Sequence, residues 1–249
     1  MIEVSNLTVR FGGVTPLDGM TITFESGTCG LIGPNGAGKS TFFNVLSGFV
    51  KPAAGTVTAF GQNLLGMPHY KRARWGVRRT FQTEQAIEQL SVFDNVAMIH
   101  EHSGLSRNSR RDAALSAIAF VGLEGDPERK VGTLGQAERR LVEVARAVVG
   151  EPRLVLLDEP AAGLPEEETA HMGAVIREIP KRTGALVILV DHDMELVSSC
   201  CGITAVLDFG RLIASGPTAE VLRNPEVIRA YLGTETVHPE GATAEGATA

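Results

Sequence analysis

The sequence has few cysteines, no excess of positive charge and no long apolar run. Its three cysteines, Cys29, Cys200 and Cys201, are odd in number and two are adjacent, which excludes a disulfide framework and is typical of a reducing cytosol. The net charge of −6 argues against a broad attraction to nucleic acid or anionic lipid. No stretch has the length of a transmembrane helix, and the N-terminus has no signal-peptide pattern. We therefore expect a cytoplasmic protein that reaches a membrane only through a partner.

Apolar periodicity predicts an α/β protein. A chain of 249 residues that is 43% hydrophobic is long enough for one sizeable core, or for a core and a subdomain. Alternating and continuous apolar runs predict strands at residues 2–10, 20–24, 56–60, 154–157, 186–190 and 203–207. Helical patterns cover residues 41–46, 137–149 and 166–179. This alternation favours a largely parallel sheet.

Two segments differ from this pattern. Residues 83–133 contain helical patterns at 92–100 and 111–121 but no convincing strand, so we interpret them as a helical subdomain inserted into the α/β core. The end of the chain, residues 234–249, repeats Gly-Ala-Thr-Ala and has no large apolar residue, and we expect it to be disordered.

One segment has the pattern of a phosphate-binding loop, G-x-x-x-x-G-K-S. It reads Gly33-Pro34-Asn35-Gly36-Ala37-Gly38-Lys39-Ser40, with Thr41 next in the chain. An apolar run precedes the segment and a helix-permissive run follows it, which is the strand–loop–helix context that the motif requires. The glycines let successive N–H groups point inward, Lys39 can reach the β- and γ-phosphates, and the Ser40 hydroxyl can ligate Mg²⁺.

A second predicted strand ends in a pair of carboxylates, Asp158 and Glu159. Asp158 is in position to hold the Mg²⁺ shell, and Glu159 to polarise a water in line with the γ-phosphate. Taken alone, the pair is also consistent with two solvated acids before Pro160. The phosphate loop upstream favours the catalytic interpretation.

A third predicted strand ends in Val190-Asp191-His192-Asp193. A histidine at the carboxyl end of a strand can hydrogen-bond a γ-phosphate oxygen and respond to its loss. The alternative is an incidental histidine.

These features together resemble the ATP-binding subunit of an ABC transporter over about residues 2–233. The resemblance implies the P-loop NTPase fold of ABC ATPases: a mostly parallel core sheet with an antiparallel β subdomain (residues 1–82 and 134–233) and an inserted helical subdomain (83–133). It also implies that ATP and Mg²⁺ bind, that Gln82 contacts Mg²⁺ or the attacking water, and that Phe11 stacks on adenine. Phe11 is otherwise a core residue at a strand end.

The same resemblance implies partners: a second ABC ATPase subunit, integral-membrane permease subunits and, indirectly, a solute-binding protein, but no nucleic acid. The segments Arg79-Thr80-Phe81-Gln82 and Val92-Phe93-Asp94-Asn95-Val96 look like those of high-affinity branched-chain amino acid importers, of the subunit with the R-T-F-Q form. So does the segment 210–233. Importers of urea, short amides and other amino acids share much of this pattern.

The family's L-S-G-G-Q signature is altered. Counting back from the following helix without gaps places it at Leu134-Gly135-Gln136-Ala137-Glu138. A second register uses Gly135-Gln136 as the family's G-Q but needs two inserted residues. In the family this helix N-terminus closes over the γ-phosphate held by the other subunit. Losing the serine hydroxyl removes a charge-assisted hydrogen bond of about 1.5–3 kcal/mol. We therefore predict a competent phosphate loop but a weakened site on the partner.

The sequence leaves two other functions open. One is a soluble ABC ATPase of translation or DNA maintenance, although the chain has neither two ATPase halves nor a basic patch. The other is a regulatory nucleotide-binding subunit with little turnover, which the altered signature favours and the presence of Glu159 and His192 disfavours.

Overall fold

The computed structural model describes residues 1–100 and 106–232, which form two sheets surrounded by helices. The strands are β1 (Ile2–Phe11), β2 (Val14–Phe24), β3 (Thr28–Ile32), β4 (Ala54–Ala59), β5 (Gln62–Asn63), β6 (Val77–Arg79), β7 (Leu154–Asp158), β8 (Leu186–Val190), β9 (Ile203–Asp208) and β10 (Arg211–Pro217). The helices are α1 (Lys39–Ser47), α2 (His69–Trp75), α3 (Val92–Ala97), α4 (Arg107–Phe120), α5 (Gln136–Val148), α6 (Glu166–Thr183), α7 (Met194–Cys200), α8 (Thr218–Val221) and α9 (Pro225–Leu232).

The larger sheet has six strands in the order β10-β9-β3-β8-β7-β6. All neighbouring pairs are parallel except β10 with β9. Strands β3, β7 and β8 are buried along their whole length, as expected for continuous apolar strands covered on both faces. Because the parallel strands share one direction, their carboxyl ends lie along one edge, which we call the carboxyl edge.

The smaller sheet is antiparallel, in the order β2-β1-β4-β5. Residues of β1 alternate between buried and exposed at its start, so one face of this sheet packs inward and the other faces solvent. Phe24 of β2 and Phe42 of α1 lie in the core between the two sheets, with ring centroids 6.1 Å apart. This contact fixes the smaller sheet beside the phosphate-binding segment.

Helices α3 and α4 lie within the predicted helical insertion and pack on each other and on α5. Helix α3 begins at Val92 and is capped by Ser91, whose hydroxyl accepts a hydrogen bond from the Asp94 N–H at 3.0 Å. Helix α6 has three glutamates in its first turn and two basic residues in its last, which complements the helix dipole. The limits proposed for the insertion, residues 83 and 133, stay predictions.

The α/β architecture with an antiparallel β subdomain is confirmed. The sequence interpretation did not anticipate β5, β6, β10, α2 or the three helices after β8. In β6 two arginines follow a single valine, so the strand has no apolar run. Phe60, expected in a strand, lies in the turn after β4. The predicted disordered tail, residues 234–249, lies outside the described residues.

No helix within residues 1–100 and 106–232 combines the length and apolar character needed to span a bilayer.

Candidate functional site

The phosphate-binding segment joins β3 to α1 and forms a tight loop that only glycine fits at two places. Gly33 has φ of 149°, and a Cβ there would lie 2.1 Å from the Leu207 carbonyl oxygen. Gly38 has φ of 109°, and its Cβ would lie 2.3 Å from the Pro16 carbonyl oxygen. Both glycines therefore serve the close approach of neighbouring backbone as well as the turn.

Lys39, the first residue of α1, folds back over this loop. Its Nζ donates to the carbonyl oxygens of Gly33 at 2.5 Å and of Pro34 at 3.0 Å. Burial lowers the pKa of Lys39, and the carboxylates of Glu159 and Asp158 oppose this shift. The loop cation, the predicted metal ligand Asp158 and the predicted catalytic Glu159 are thus electrostatic neighbours, although more than a hundred residues separate Lys39 from the two acids in sequence.

Asp158, the last residue of β7, is buried and paired with Arg79. The Arg79 Nη2 atom donates to Asp158 Oδ2 at 2.9 Å, and both side chains are almost fully buried. Arg79 Nη1 donates to Asn44 Oδ1 at 2.6 Å, and its guanidinium lies 5.4 Å from the Phe43 ring and 4.8 Å from the Phe81 ring. Burial raises the pKa of Asp158, whereas Arg79 lowers it.

Glu159 directly follows β7 and has a left-handed backbone conformation, with φ of 48°. Its N–H donates to the Val190 carbonyl at 2.8 Å, which ties it to the end of β8. Its Oε2 accepts a hydrogen bond from Gln82 Nε2 at 3.0 Å. A non-glycine residue held in this region is strained, and such strain concentrates at functional sites.

His192 lies past the end of β8 with an exposed side chain, so it can meet a ligand from solvent. The preceding Asp191 is buried; its Oδ1 accepts the N–H groups of His192 at 2.8 Å and Asp193 at 3.0 Å. Burial raises the pKa of Asp191. Asp193 in turn caps α7, accepting from the N–H groups of Glu195 and Leu196.

The segment after Gln82 is fastened to α5. Arg140 Nη1 and Nη2 each lie 3.2 Å from the Gln82 carbonyl oxygen, and Arg146 Nη1 donates to the Gln85 carbonyl at 2.7 Å. The Gln85 N–H donates to the buried Glu143 carboxylate. Residues 79–85 thus contact β7 at one end and α5 at the other.

The predicted signature lies where α5 begins. Leu134 is buried, Gly135 is the N-cap, and Gln136 and Ala137 open the helix. The Glu138 carboxylate accepts the Gly135 N–H at 3.1 Å and pairs with Arg129 at 2.7 Å. An N–H at this helix end, of the kind that can bind an anion, therefore already has a carboxylate partner from its own chain.

Phe11 ends β1 at a hairpin, and 53% of its surface is exposed. It is therefore not a core residue, and its stacking on adenine stays a prediction.

The loop fits a nucleotide phosphate and its magnesium ion. A Cβ would fill its backbone cradle at Gly33 and Gly38, and Lys39 supplies a cation. Ser40 and Asp158 offer hard oxygen donors of the type that Mg²⁺ takes. Within the described residues no group of three or more His, Cys, Asp or Glu side chains is arranged to hold a metal.

Four of the predicted features lie in a row along the carboxyl edge. The phosphate loop follows β3 and His192 follows β8. Asp158 ends β7 with Glu159 next to it, and Gln82 follows β6. Sequence reasoning assigned no role to Arg79 or to Asp191. The R-T-F-Q motif contained Arg79, but only the packing of β6 against β7 pairs it with Asp158.

Comparison with protein families matches residues 17–162 to a family described as ABC transporter. Residues 211–237 match one described as Branched-chain amino acid ATP-binding cassette transporter.

Among curated proteins, the chain is 36% identical to the high-affinity branched-chain amino acid transport ATP-binding protein BraF of Pseudomonas aeruginosa. It is 34% identical to LivG, of the same description, from Escherichia coli. Each alignment covers 94% of this chain and 98% of the relative. A solved ATP-binding cassette of an ABC transporter, in its ADP conformation, superimposes with a TM-score of 0.84 at 26% identity, covering 94% of this chain and 98% of that one.

Proposed function

Because the chain belongs to the ABC transporter family of ATP-binding proteins, we propose that it hydrolyses ATP to drive import of branched-chain or related amino acids. The observation that carries the proposal is the position of Glu159. Its carboxylate accepts a hydrogen bond from Gln82, and its negative charge raises the pKa of Lys39, which burial lowers. A carboxylate is thus held beside both the phosphate loop and the segment that leads to α5.

In this proposal the loop Gly33-Pro34-Asn35-Gly36-Ala37-Gly38-Lys39-Ser40-Thr41 binds the phosphates of ATP. Backbone N–H groups and Lys39 neutralise phosphate charge. Ser40 and Asp158, with Gln82, would hold Mg²⁺, which when bound neutralises charge that develops on the β- and γ-oxygens.

Glu159 acts as the base or water-orienting group of hydrolysis, and Gln82 keeps its carboxylate in place. His192, exposed at the end of β8, contacts the γ-phosphate. Arg140 of α5 binds the Gln82 carbonyl, and Gln82 binds Glu159. A movement of Glu159 is therefore transmitted to α5 through Gln82.

We place the chain on the cytoplasmic face of the membrane, held there by permease subunits. An aromatic patch beside Gln82 supports this: the rings of Phe49, His69, Tyr70 and Phe81 contact one another in series at 5.9–6.3 Å. Phe49 and Tyr70 are at least half exposed. Exposed aromatic clusters are typical of protein contact sites. A cytoplasmic helix of the permease would dock here and along residues 83–90.

A second ATPase subunit, a copy or a paralogue, would pair with the carboxyl edge. The altered signature of residues 134–138 then weakens the site completed on that partner, since Glu138 already occupies the Gly135 N–H. Replacing Gly135→Ser together with Ala137→Gly in the assembled transporter should raise the ATPase rate. An unchanged rate contradicts this part of the proposal.

The whole proposal is tested with Glu159→Gln. We expect ATPase activity to fall by about 10²-fold or more, as for loss of a general base, while ATP still binds. Cells without the wild-type gene should lose uptake of labelled leucine, isoleucine and valine, and only the wild-type gene should restore it. Glu167→Gln, at an exposed glutamate of α6, is the matched control.

Equal ATPase rates in wild type and Glu159→Gln would favour a regulatory subunit instead. Normal uptake of branched-chain amino acids with loss of urea or amide uptake would reassign the solute.

A further inference from the structure

Two hairpins of this chain have the same unusual turn. The β4–β5 turn is Phe60-Gly61, with φ of 48° and 77°, and the β9–β10 turn is Phe209-Gly210, with φ of 42° and 79°. Two positive φ values in a two-residue turn define type I′, which favours Asn-Gly. A phenylalanine at the first position carries a steric cost that asparagine avoids.

The two phenylalanines differ in what covers them. The Phe60 ring packs against Trp75, with centroids 6.0 Å apart, and 37% of the residue is exposed. Phe209 is 85% exposed and has no aromatic or cationic ring partner in the part of the chain that the structure describes. Packing offsets the cost of the first turn. Within the described residues the second turn is held by hydrogen bonds of its backbone, and no ring covers Phe209 itself, so this apolar side chain is left open to a partner.

The Phe209 turn is held against the phosphate loop. The Gly210 N–H donates to the Ala37 carbonyl at 3.0 Å, and the Gly210 carbonyl accepts the Asp18 N–H at 2.9 Å. Arg211 pairs with Asp18 at 2.6 Å. Phe209 follows β9, the neighbour of β3. It therefore lies on the carboxyl edge, one strand beyond the phosphate loop in the row of predicted site residues.

We propose that Phe209 is an apolar contact to the second ATPase subunit, buried when the two carboxyl edges close on each other. This inference rests on the proposed function. A nucleotide base is a less suitable occupant than a protein surface, because it would cover only one face of a ring that is exposed on nearly all sides. The aromatic patch assigned to the permease adjoins the edge strand β6, which is four strands away from β9 in the sheet.

Site-specific cross-linking identifies the occupant. Photo-reactive benzoylphenylalanine replaces Phe209 in the full chain, and the complex is purified with ATP through a tag on that chain. We expect an adduct with a second ABC ATPase chain, identified by mass spectrometry, and none from the same probe at Phe60. An adduct with a permease subunit, with nucleotide or within the chain only, or no adduct, overturns the inference. A complex with no second ATPase subunit overturns the proposed function as well.

Two asparagine variants measure how much Phe209 contributes to association and to the stability of the turn. Phe209→Asn should raise the melting temperature of the separate chain by roughly 2–4 °C, because asparagine suits the turn. It should weaken ATP-dependent association with the second subunit by on the order of 10- to 100-fold, since one phenylalanine is no longer buried. Phe60→Asn should lower the melting temperature and leave association unchanged. Unchanged association in Phe209→Asn, or a loss of nucleotide affinity in the separate chain, refutes the proposal.

Discussion

Replacing Arg79 should destabilise the protein through the charge that it leaves behind on Asp158. The two side chains are only 8% and 7% exposed, and their pair distance is 2.9 Å. Removal of one partner of a buried ion pair costs about 3–5 kcal/mol, because the other charge stays buried without compensation. For Arg79→Met we therefore expect the melting temperature to fall by roughly 6–20 °C.

The loss of stability in Arg79→Met should increase as pH rises. Burial already raises the pKa of Asp158, and the loss of Arg79 raises it further. Above the pKa of an unfolded aspartate, about 3.9, the folded variant then holds more protons than the unfolded chain, so its stability falls as pH rises. The deficit of Arg79→Met should be largest near neutral pH and smallest in acid.

A double-mutant cycle with Asp158→Asn isolates the pair, measured by urea denaturation in the absence of nucleotide. In the Asp158→Asn background we expect Arg79→Met to cost much less, with a coupling energy above about 1 kcal/mol. Arg79→Lys, which keeps the charge, is the matched control and should lose less than Arg79→Met. If Arg79→Met costs the same in both backgrounds and at every pH, packing against Phe43 and Phe81 explains the effect, and the ion-pair reasoning is wrong.

Three further predictions concern single positions. Gly38→Ala should abolish binding of a fluorescent ATP analogue, because its Cβ meets the Pro16 carbonyl, whereas Gly13→Ala, with open space around the Cβ, should bind normally. Glu138→Ala should lower stability by about 0.5–1 kcal/mol through loss of the helix cap, with little from its partly exposed ion pair, and Glu138→Gln should recover most of that loss in thermal melts. Asp191→Asn should raise the melting temperature near neutral pH but not in acid, because the raised pKa of Asp191 makes the wild type lose stability as pH rises; a pH-independent difference contradicts this.

Much of the fold could be predicted because its central strands are continuous apolar runs. Leu154–Asp158 and Leu186–Val190 show this pattern, and the motifs at their carboxyl ends locate the carboxyl edge. The edge strand Val77–Arg79 could not be predicted in this way. Its pairing with β7 depends on tertiary contacts, which override local pattern in short strands.

Long-range partners of individual side chains were also beyond the sequence. The sequence places Glu138 at the last position of the altered signature and does not show what its carboxylate contacts. In the structure its carboxylate binds the Gly135 N–H and the Arg129 guanidinium. The second contact forms because the loop before α5 brings Arg129 beside that helix. Sequence spacing of i to i+3 indicates the first contact but not the second.

The segment from Arg79 to Gln82 has a consequence for how such subunits can be recombined. Arg79 pairs with Asp158, Thr80 Oγ1 accepts the Asp158 N–H at 3.0 Å, and Gln82 bonds to Glu159. Three of these four consecutive residues thus bond to two residues at the end of one distant strand, Asp158 and Glu159. A chimaera that takes this segment from one paralogue and the β7 strand end from another would break these contacts together. The two segments therefore have to be exchanged together as one unit, although Arg79 and Asp158 are 79 positions apart in the sequence.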